Sequence, residues 1–310
     1  MNFATFAPNL EMLLVTILLA GTVVAWGFLF SRLALRLPIL PKQNILCRAR
    51  WNGRFVFAIL ALFVVLPAIF TSCLIAFFPP SSMDSLQTTG SGISTSHPIE
   101  TFLKAPGPDG ASAPSVLKCV VMLLYAAALV PIVEEFVFRV VVQGWLDARE
   151  RELFPKERQP GILAFFAVAV GFAFLHFRSG TQGTPSQYML TMSFSGSALG
   201  SVLLLAVSIY SLRALQGRSW REFGFDFRFW QSDLLLGAWG FFLAYMPSIL
   251  VQGWLTSCFG DRFAADPFTL IIIALVFGTL YMRTRRILPG LVAHAMLNAT
   301  AILGLIIASG

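Results

Sequence analysis

Charge is scarce in this 310-residue chain: Lys, Arg, Asp and Glu together make up 12% of it, against 57% hydrophobic residues and a mean hydropathy of +0.77. An ordinary globular domain carries about 25% charged residues. A surface this poor in charge, over this much apolar area, excludes a soluble enzyme. Cysteine is equally sparse. Cys47, Cys73, Cys119 and Cys258 stand singly with no C-x-x-C pair, so neither a zinc knuckle nor a disulfide framework is expected, and they read as small apolar residues. The first apolar run is preceded by Met1–Glu11 without a basic n-region, and no small-residue cleavage signal precedes Arg32. It is therefore expected to be a retained span. No internal repeat or soluble domain stands out, which leaves one membrane domain over residues 1–310.

What the chain does have is apolar runs, all but the third without a strongly charged interior, approaching or exceeding the roughly 20 residues needed to cross about 30 Å of hydrocarbon. Eight are predicted, at Leu13–Phe30, Phe55–Phe78, Cys119–Trp145, Ile162–Phe177, Tyr188–Leu212, Leu234–Leu255, Phe268–Met282 and Ile287–Ala308. An all-α, polytopic bundle follows, because backbone amides in lipid must be satisfied within their own segment. Pro67, Pro131 and Pro247 fall inside spans, where each removes a backbone donor and can bend its helix. The segment 79–115 is rich in Ser, Thr, Gly and Pro and includes His97. It is expected to be a mobile loop, with His97 a plain loop residue.

A net charge of +7 and a pI near 9.6 would ordinarily raise nucleic acid as a partner. The placement of the cations gives a simpler account. Arg32, Arg36, Lys42, Arg48, Arg50 and Arg54 follow the first span; Arg149, Arg151, Lys156 and Arg158 the third; Arg213, Arg218, Arg221 and Arg228 the fifth; and Arg283, Arg285 and Arg286 the seventh. The alternate connections hold only Lys104, Lys118, Arg178 and Arg262. Because basic loops stay cytoplasmic, both termini are expected on the non-cytoplasmic side of an integral, multi-pass protein. No nucleic-acid partner is expected. Attraction to anionic headgroups is compatible with the same charge.

Ionisable groups inside hydrocarbon are costly, which makes each one a functional suspect. The third span carries Pro131-Ile-Val-Glu134-Glu135-Phe-Val-Phe-Arg139. Glu135 and Arg139 are i,i+4 with the acid N-terminal, the better orientation for an ion pair along a helix. Glu134 points about 100° away and has no cation nearby in sequence, so burial should raise its pKa unless something across the bundle supports the charge. The two histidines within spans are His176 and His294, and His294 shares a helix face with Asn298 at i,i+4. Singly, each is as well explained as interhelical hydrogen bonding. Together, in a chain with so little other buried charge, they point to a site.

A carboxylate beside a water in a dry cavity is a general base, while imidazole and carboxamide N–H groups can donate to the oxyanion formed when water attacks a carbonyl. That chemistry is peptide-bond hydrolysis without a covalent intermediate. The competing chemistry is a zinc site, for which Glu134, His176 and His294 supply a His₂Glu set. With no H-E-x-x-H and three separate helices, metal ranks second, and no cofactor is favoured.

The ordered motifs E-E-x-x-x-R at Glu134-Glu135…Arg139, F-x-x-x-H at Phe172…His176 and H-x-x-x-N at His294…Asn298 resemble the CAAX protease and bacteriocin-processing (CPBP, or Abi) family. Phe277-Gly-Thr-Leu-Tyr281, a basic turn and Leu288-Pro-Gly-Leu-Val-Ala-His294 look like that family's approach to its last motif. The resemblance covers Val116–Phe177 and Phe268–Asn298. It implies an intramembrane endopeptidase of the metal-independent glutamate type, in which Glu134 activates water, Glu135 pairs with Arg139, and His176, His294 and Asn298 complete the site. The implied partners are the lipid bilayer and a membrane-associated protein or peptide substrate: a prenylated tail, a leader peptide or a membrane-protein end. In a bacterium the location would be the inner membrane.

Two features depart from that pattern. His176 and His294 lie 118 positions apart, which leaves room for an added hairpin such as the fifth and sixth spans. Straight helices at about 1.5 Å per residue also put Glu134 and His294 in the inner half of the bilayer but His176 near the outer end of the fourth span, so the groups do not meet unless a helix tilts, Pro131 bends its helix or the fourth span starts deeper. The rival functions are a proton-relaying transporter, disfavoured by the lack of matching broken helices in two halves, and a non-catalytic scaffold or immunity protein.

Overall fold

The computed structural model describes residues 3–40, 51–80, 93–94, 98–104, 116–155, 161–176, 181–182, 186–259 and 266–309. Its helices are α1 (Phe3–Ala34), α2 (Gly53–Phe77), α3 (Pro98–Lys104), α4 (Val116–Leu153), α5 (Ile162–Leu175), α6 (Gln187–Leu215), α7 (Trp230–Phe259), α8 (Asp266–Thr284) and α9 (Leu288–Ser309). Two-residue strands β1 (Ile93–Ser94) and β2 (Thr181–Gln182) pair antiparallel, Ile93 opposite Gln182. All eight predicted spans are helices of a polytopic bundle. Six are long and apolar enough to cross a membrane, while Ile162–Leu175 and Phe268–Thr284 are shorter.

Helix α4 is central, packing on α2, α5, α6, α8 and α9. Its Phe136, Val137, Val140 and Val141 are fully buried in one cluster with Ile59, Phe172, Ala274 and Tyr281. Outward-facing Val23, Val24, Phe57 and Leu235 are exposed, as a hydrocarbon solvent allows. Helix α2 lies against α6 at close range because α6 presents Gly196 and Gly200 at i,i+4. A Cβ would lie 2.5 Å from the Thr71 nitrogen at Gly196 and 2.7 Å from the Pro67 nitrogen at Gly200. Both obstacles are backbone, so neither can swing aside. Gly200→Val should cost about 1–3 kcal/mol by overpacking, read as a lower unfolding midpoint in detergent. Gly27→Val, with no atom within 4 Å of its Cβ position, should leave the midpoint unchanged.

The described part of the segment expected to be a loop, 79–115, includes helix α3. Phe102 and Leu103 of α3 are buried against Met122, Ala126, Leu190, Ile302 and Ile306, because the apolar residues Ile99, Phe102 and Leu103 fall on one helical face. His97 lies outside the described residues.

Helix α4 is not uniform. Leu124–Leu129 and Glu135–Gln143 are π-helical, and the first of these stretches ends just before Pro131. At its far end α4 continues past the apolar span as Gly144–Leu153. There Glu150 caps the start of α5, its two oxygens accepting from Gly161 N at 2.9 Å and Ala164 N at 2.8 Å. Gly161 has φ +97°, and a Cβ there would meet Asp147 Oδ1. Asp147 in turn holds Arg285 Nη2 at 2.6 Å and Arg151 Nε at 3.2 Å. This polar knot sets the level at which α5 begins.

That level corrects the expectation that Glu134 and His176 lie far apart. Glu134 is 16 residues back along α4 from Glu150, and His176 is 15 residues along from Gly161, or about 24 and 22 Å at 1.5 Å per residue. Both therefore arrive at the same depth. Helix α5 starts at Ile162 as predicted, and the predicted mismatch came from levelling that start with the end of the apolar run of α4 at Trp145 instead of with Glu150 in its polar extension.

Candidate active site

The structure links five of the six residues singled out from the sequence, Glu134, Glu135, Arg139, His176 and His294, by side-chain contacts, while Asn298, one turn beyond His294, bonds to a backbone carbonyl. Glu134 points between two imidazoles: His176 Nε2 is 3.4 Å from its Oε1, and His294 Nε2 is 3.5 Å from its Oε2. Each ring is oriented through its other nitrogen. His176 Nδ1 lies 2.8 Å from the Phe172 carbonyl, one turn back on α5, and a carbonyl can only accept, so this nitrogen carries the proton. His294 Nδ1 lies 3.2 Å from Glu135 Oε1. Tilted and edge-on aromatic contacts complete the setting. Phe172 is 4.4 Å from His176 and 6.1 Å from His294 between centroids, and Phe277 is 5.2 Å from His294.

With both Nδ1 atoms protonated, a neutral ring offers Glu134 only a lone pair at Nε2. Two lone pairs and a carboxylate repel, so the trio is stable only with a bridging proton or a bridging donor such as water. The site is most open at His176, whose side chain is 31% exposed against 11% for Glu134 and 6% for His294.

Glu135 lies under this trio. Its Oε2 is 3.4 Å from Arg139 Nε, with both side chains 1% exposed. The predicted i,i+4 pair is present, but as an off-line electrostatic contact, because neither atom makes a hydrogen bond. Arg139 directs Nη2 to the Ala274 carbonyl at 3.1 Å and Nη1 to Gln143 Oε1 at 3.4 Å, while Gln143 Nε2 reaches the Gly278 carbonyl at 3.3 Å. Residues 139 and 143 of α4 thus bind carbonyls 274 and 278 of α8, rung for rung.

Asn298 is held by a consequence of Pro131. The Val130 N–H donates five residues back, to Tyr125 O, instead of to Ala126 O. In that register Ala126 O would next be served by residue 131, and proline has no N–H. The orphaned carbonyl accepts from Asn298 Nδ2 at 2.7 Å. Asn298→Leu would leave Ala126 O unpaired at a cost of about 1–3 kcal/mol. A Pro131→Ala change in the same background should recover part of that loss, measured by unfolding in detergent.

Among the described residues, no group of three or more His, Cys, Asp or Glu side chains is arranged to hold a metal ion. The alternative zinc set of Glu134, His176 and His294 is therefore not among such groups.

Several contributors were missed from sequence. Gln143 is one turn beyond Arg139 and reads as an ordinary buried amide. Ala126 acts only through its carbonyl, for which Pro131 five residues later was the available signal. Glu150 and Asp147 read as solvent-facing charges in a polar stretch.

Residues 116–300 match the family described as type II CAAX prenyl endopeptidase, Rce1-like. That stretch runs from the start of α4 through α6 and α7 and past Asn298, so the fifth and sixth spans lie inside it. No curated protein and no solved structure gives a match.

Proposed function

The chain belongs to the Rce1-like family of type II CAAX prenyl endopeptidases, and on that footing we propose that it hydrolyses a peptide bond of a membrane-associated substrate with water activated by Glu134. The observation that carries this reading is Glu134 set between His176 Nε2 and His294 Nε2. Glu134 takes one proton from a water molecule as its oxygen bonds to the scissile carbonyl carbon. The carbonyl electron pair moves onto oxygen, where the second N–H of the Asn298 carboxamide donates to it, joined by His294 Nε2 when that ring holds the bridging proton as an imidazolium. Collapse of the tetrahedral species breaks the C–N bond, and the leaving amine takes the proton held by Glu134, with His176 as the relay. Glu135 and Arg139 touch no reacting atom in this scheme and instead hold His294. Asn298, fixed through Ala126, comes from the same helix face.

The fitting substrate is an extended tail of a prenylated protein, ending in Cys, two aliphatic residues and a variable residue. The arginine-rich connections are assigned to the cytoplasmic side, with both termini opposite.

The test is purified protein in detergent or vesicles with a farnesylated, quenched-fluorophore peptide of that form. Release of the terminal tripeptide, seen by mass spectrometry and undiminished after exhaustive chelation, is the expected result. An intact peptide, or activity lost on chelation and restored by zinc, would overturn the metal-independent reading.

A further inference from the structure

Along α9, Gly290, His294 and Asn298 follow one another at intervals of four and share a face. The last two have roles above, but Gly290 has none. It is buried in the first turn of the helix, where glycine is a poor helix former. Nor does its backbone require glycine, since the positive-φ glycines among the described residues are Gly161, Gly217 and Gly224. What it does supply is space. A Cβ at Gly290 would lie 2.7 Å from Glu135 Oε2 and 3.5 Å from Glu135 Cδ, with the Phe277 carbonyl next at 3.8 Å. The carboxylate could not simply swing away. It is 1% exposed and lies between Arg139 Nε at 3.4 Å and His294 Nδ1 at 3.2 Å.

We propose that Gly290 is a positioning residue for the reaction: its missing side chain opens the slot in which the Glu135 carboxylate lies against α9, so that Oε1 reaches His294 Nδ1 and keeps Nε2 turned toward Glu134. The catalytic consequence rests on the proposed function, whereas the geometry does not. A methyl group at position 290 displaces Oε2, drags Oε1 from His294 and lets the imidazole rotate. Helix formation is not the casualty, since alanine is the better helix former. Substrate binding is not expected to suffer either, because Gly290 lies behind the imidazole.

Gly290→Ala should therefore fold normally and lower kcat on the farnesylated peptide by about 10–100-fold, the cost of a sub-ångström to ångström misplacement of a reacting group. KM should stay within about threefold. The control is Gly304→Ala on the same helix, with no atom within 4 Å of its Cβ position. Rescue comes from Glu135→Asp, whose shorter side chain vacates the slot: the double variant should lose less than the product of the two single losses.

A readout independent of cleavage uses the three histidines of the chain. With ¹⁵N-labelled histidine, the ring resonances absent from His294→Ala should shift in Gly290→Ala and stay put in Gly304→Ala. Unchanged kcat and unchanged His294 resonances in Gly290→Ala, or single losses that multiply without coupling, would overturn the assignment. Should the wild-type protein cleave nothing, the hydrolase reading falls, and the resonances alone still decide whether Gly290 positions His294 through Glu135.

Discussion

Glu134→Gln lowers turnover of the farnesylated peptide by about 10²–10⁴-fold, the range a positioned general base supplies. The substitution keeps the side chain's shape and its place between His176 and His294, but an amide cannot accept and hold the proton of the attacking water. Stability should change little, because the amide keeps the size of the carboxylate and its NH2 donates to one of the two Nε2 lone pairs. The measurement is kcat under saturating peptide alongside an unfolding midpoint. Near-normal turnover in a folded Glu134→Gln protein would remove the general base from the mechanism. A protein that unfolds instead would mark Glu134 as a structural ligand of the two rings.

Arg139→Met is expected to have the largest effect on stability, about 3–5 kcal/mol, because it leaves the buried Glu135 carboxylate without its cation. Arg139 is fully buried and also donates to Ala274 O and Gln143 Oε1, so α4 loses one of its hydrogen bonds to the α8 backbone at the same stroke, keeping that of Gln143 to Gly278 O. The companion Glu135→Leu/Arg139→Met variant removes the stranded charge as well as its partner and should recover much of the stability. It should not recover activity, since His294 would lose the acceptor at Nδ1. Yield in membranes and unfolding in detergent report the first effect, and peptide turnover the second. If the single substitution is tolerated, the ion pair is not what secures the centre of the bundle.

Those two residues also show where sequence reading succeeds. A buried Glu-Glu-x-x-x-Arg in an apolar span is expected to put Glu135 beside Arg139 and turn Glu134 to another face, because helical periodicity is local, and the pair survives the π-helical stretch that contains it. The same logic placed Asn298 with His294. That the three motifs share one site was legible from their joint rarity. Their depth was not, because it depends on where α5 starts, and that is decided by Glu150 bonding to Gly161 and Ala164 across the connection. A hydropathy window sees the apolar edge of a helix and not its capping partner.

Composition and pattern alone determined that this chain spans a membrane as a helical bundle, and which few polar side chains lie within its apolar spans, because solvent matching and helix geometry act over neighbouring residues. Tertiary structure alone decided the remainder: Glu134 between two rings, His294 shared by both carboxylates, Asn298 drawn to the carbonyl that Pro131 orphans, and Gly290 making room. Those are contacts between residues as much as 172 positions apart, set by which helix packs on which and at what level, and no periodicity within a single segment encodes them.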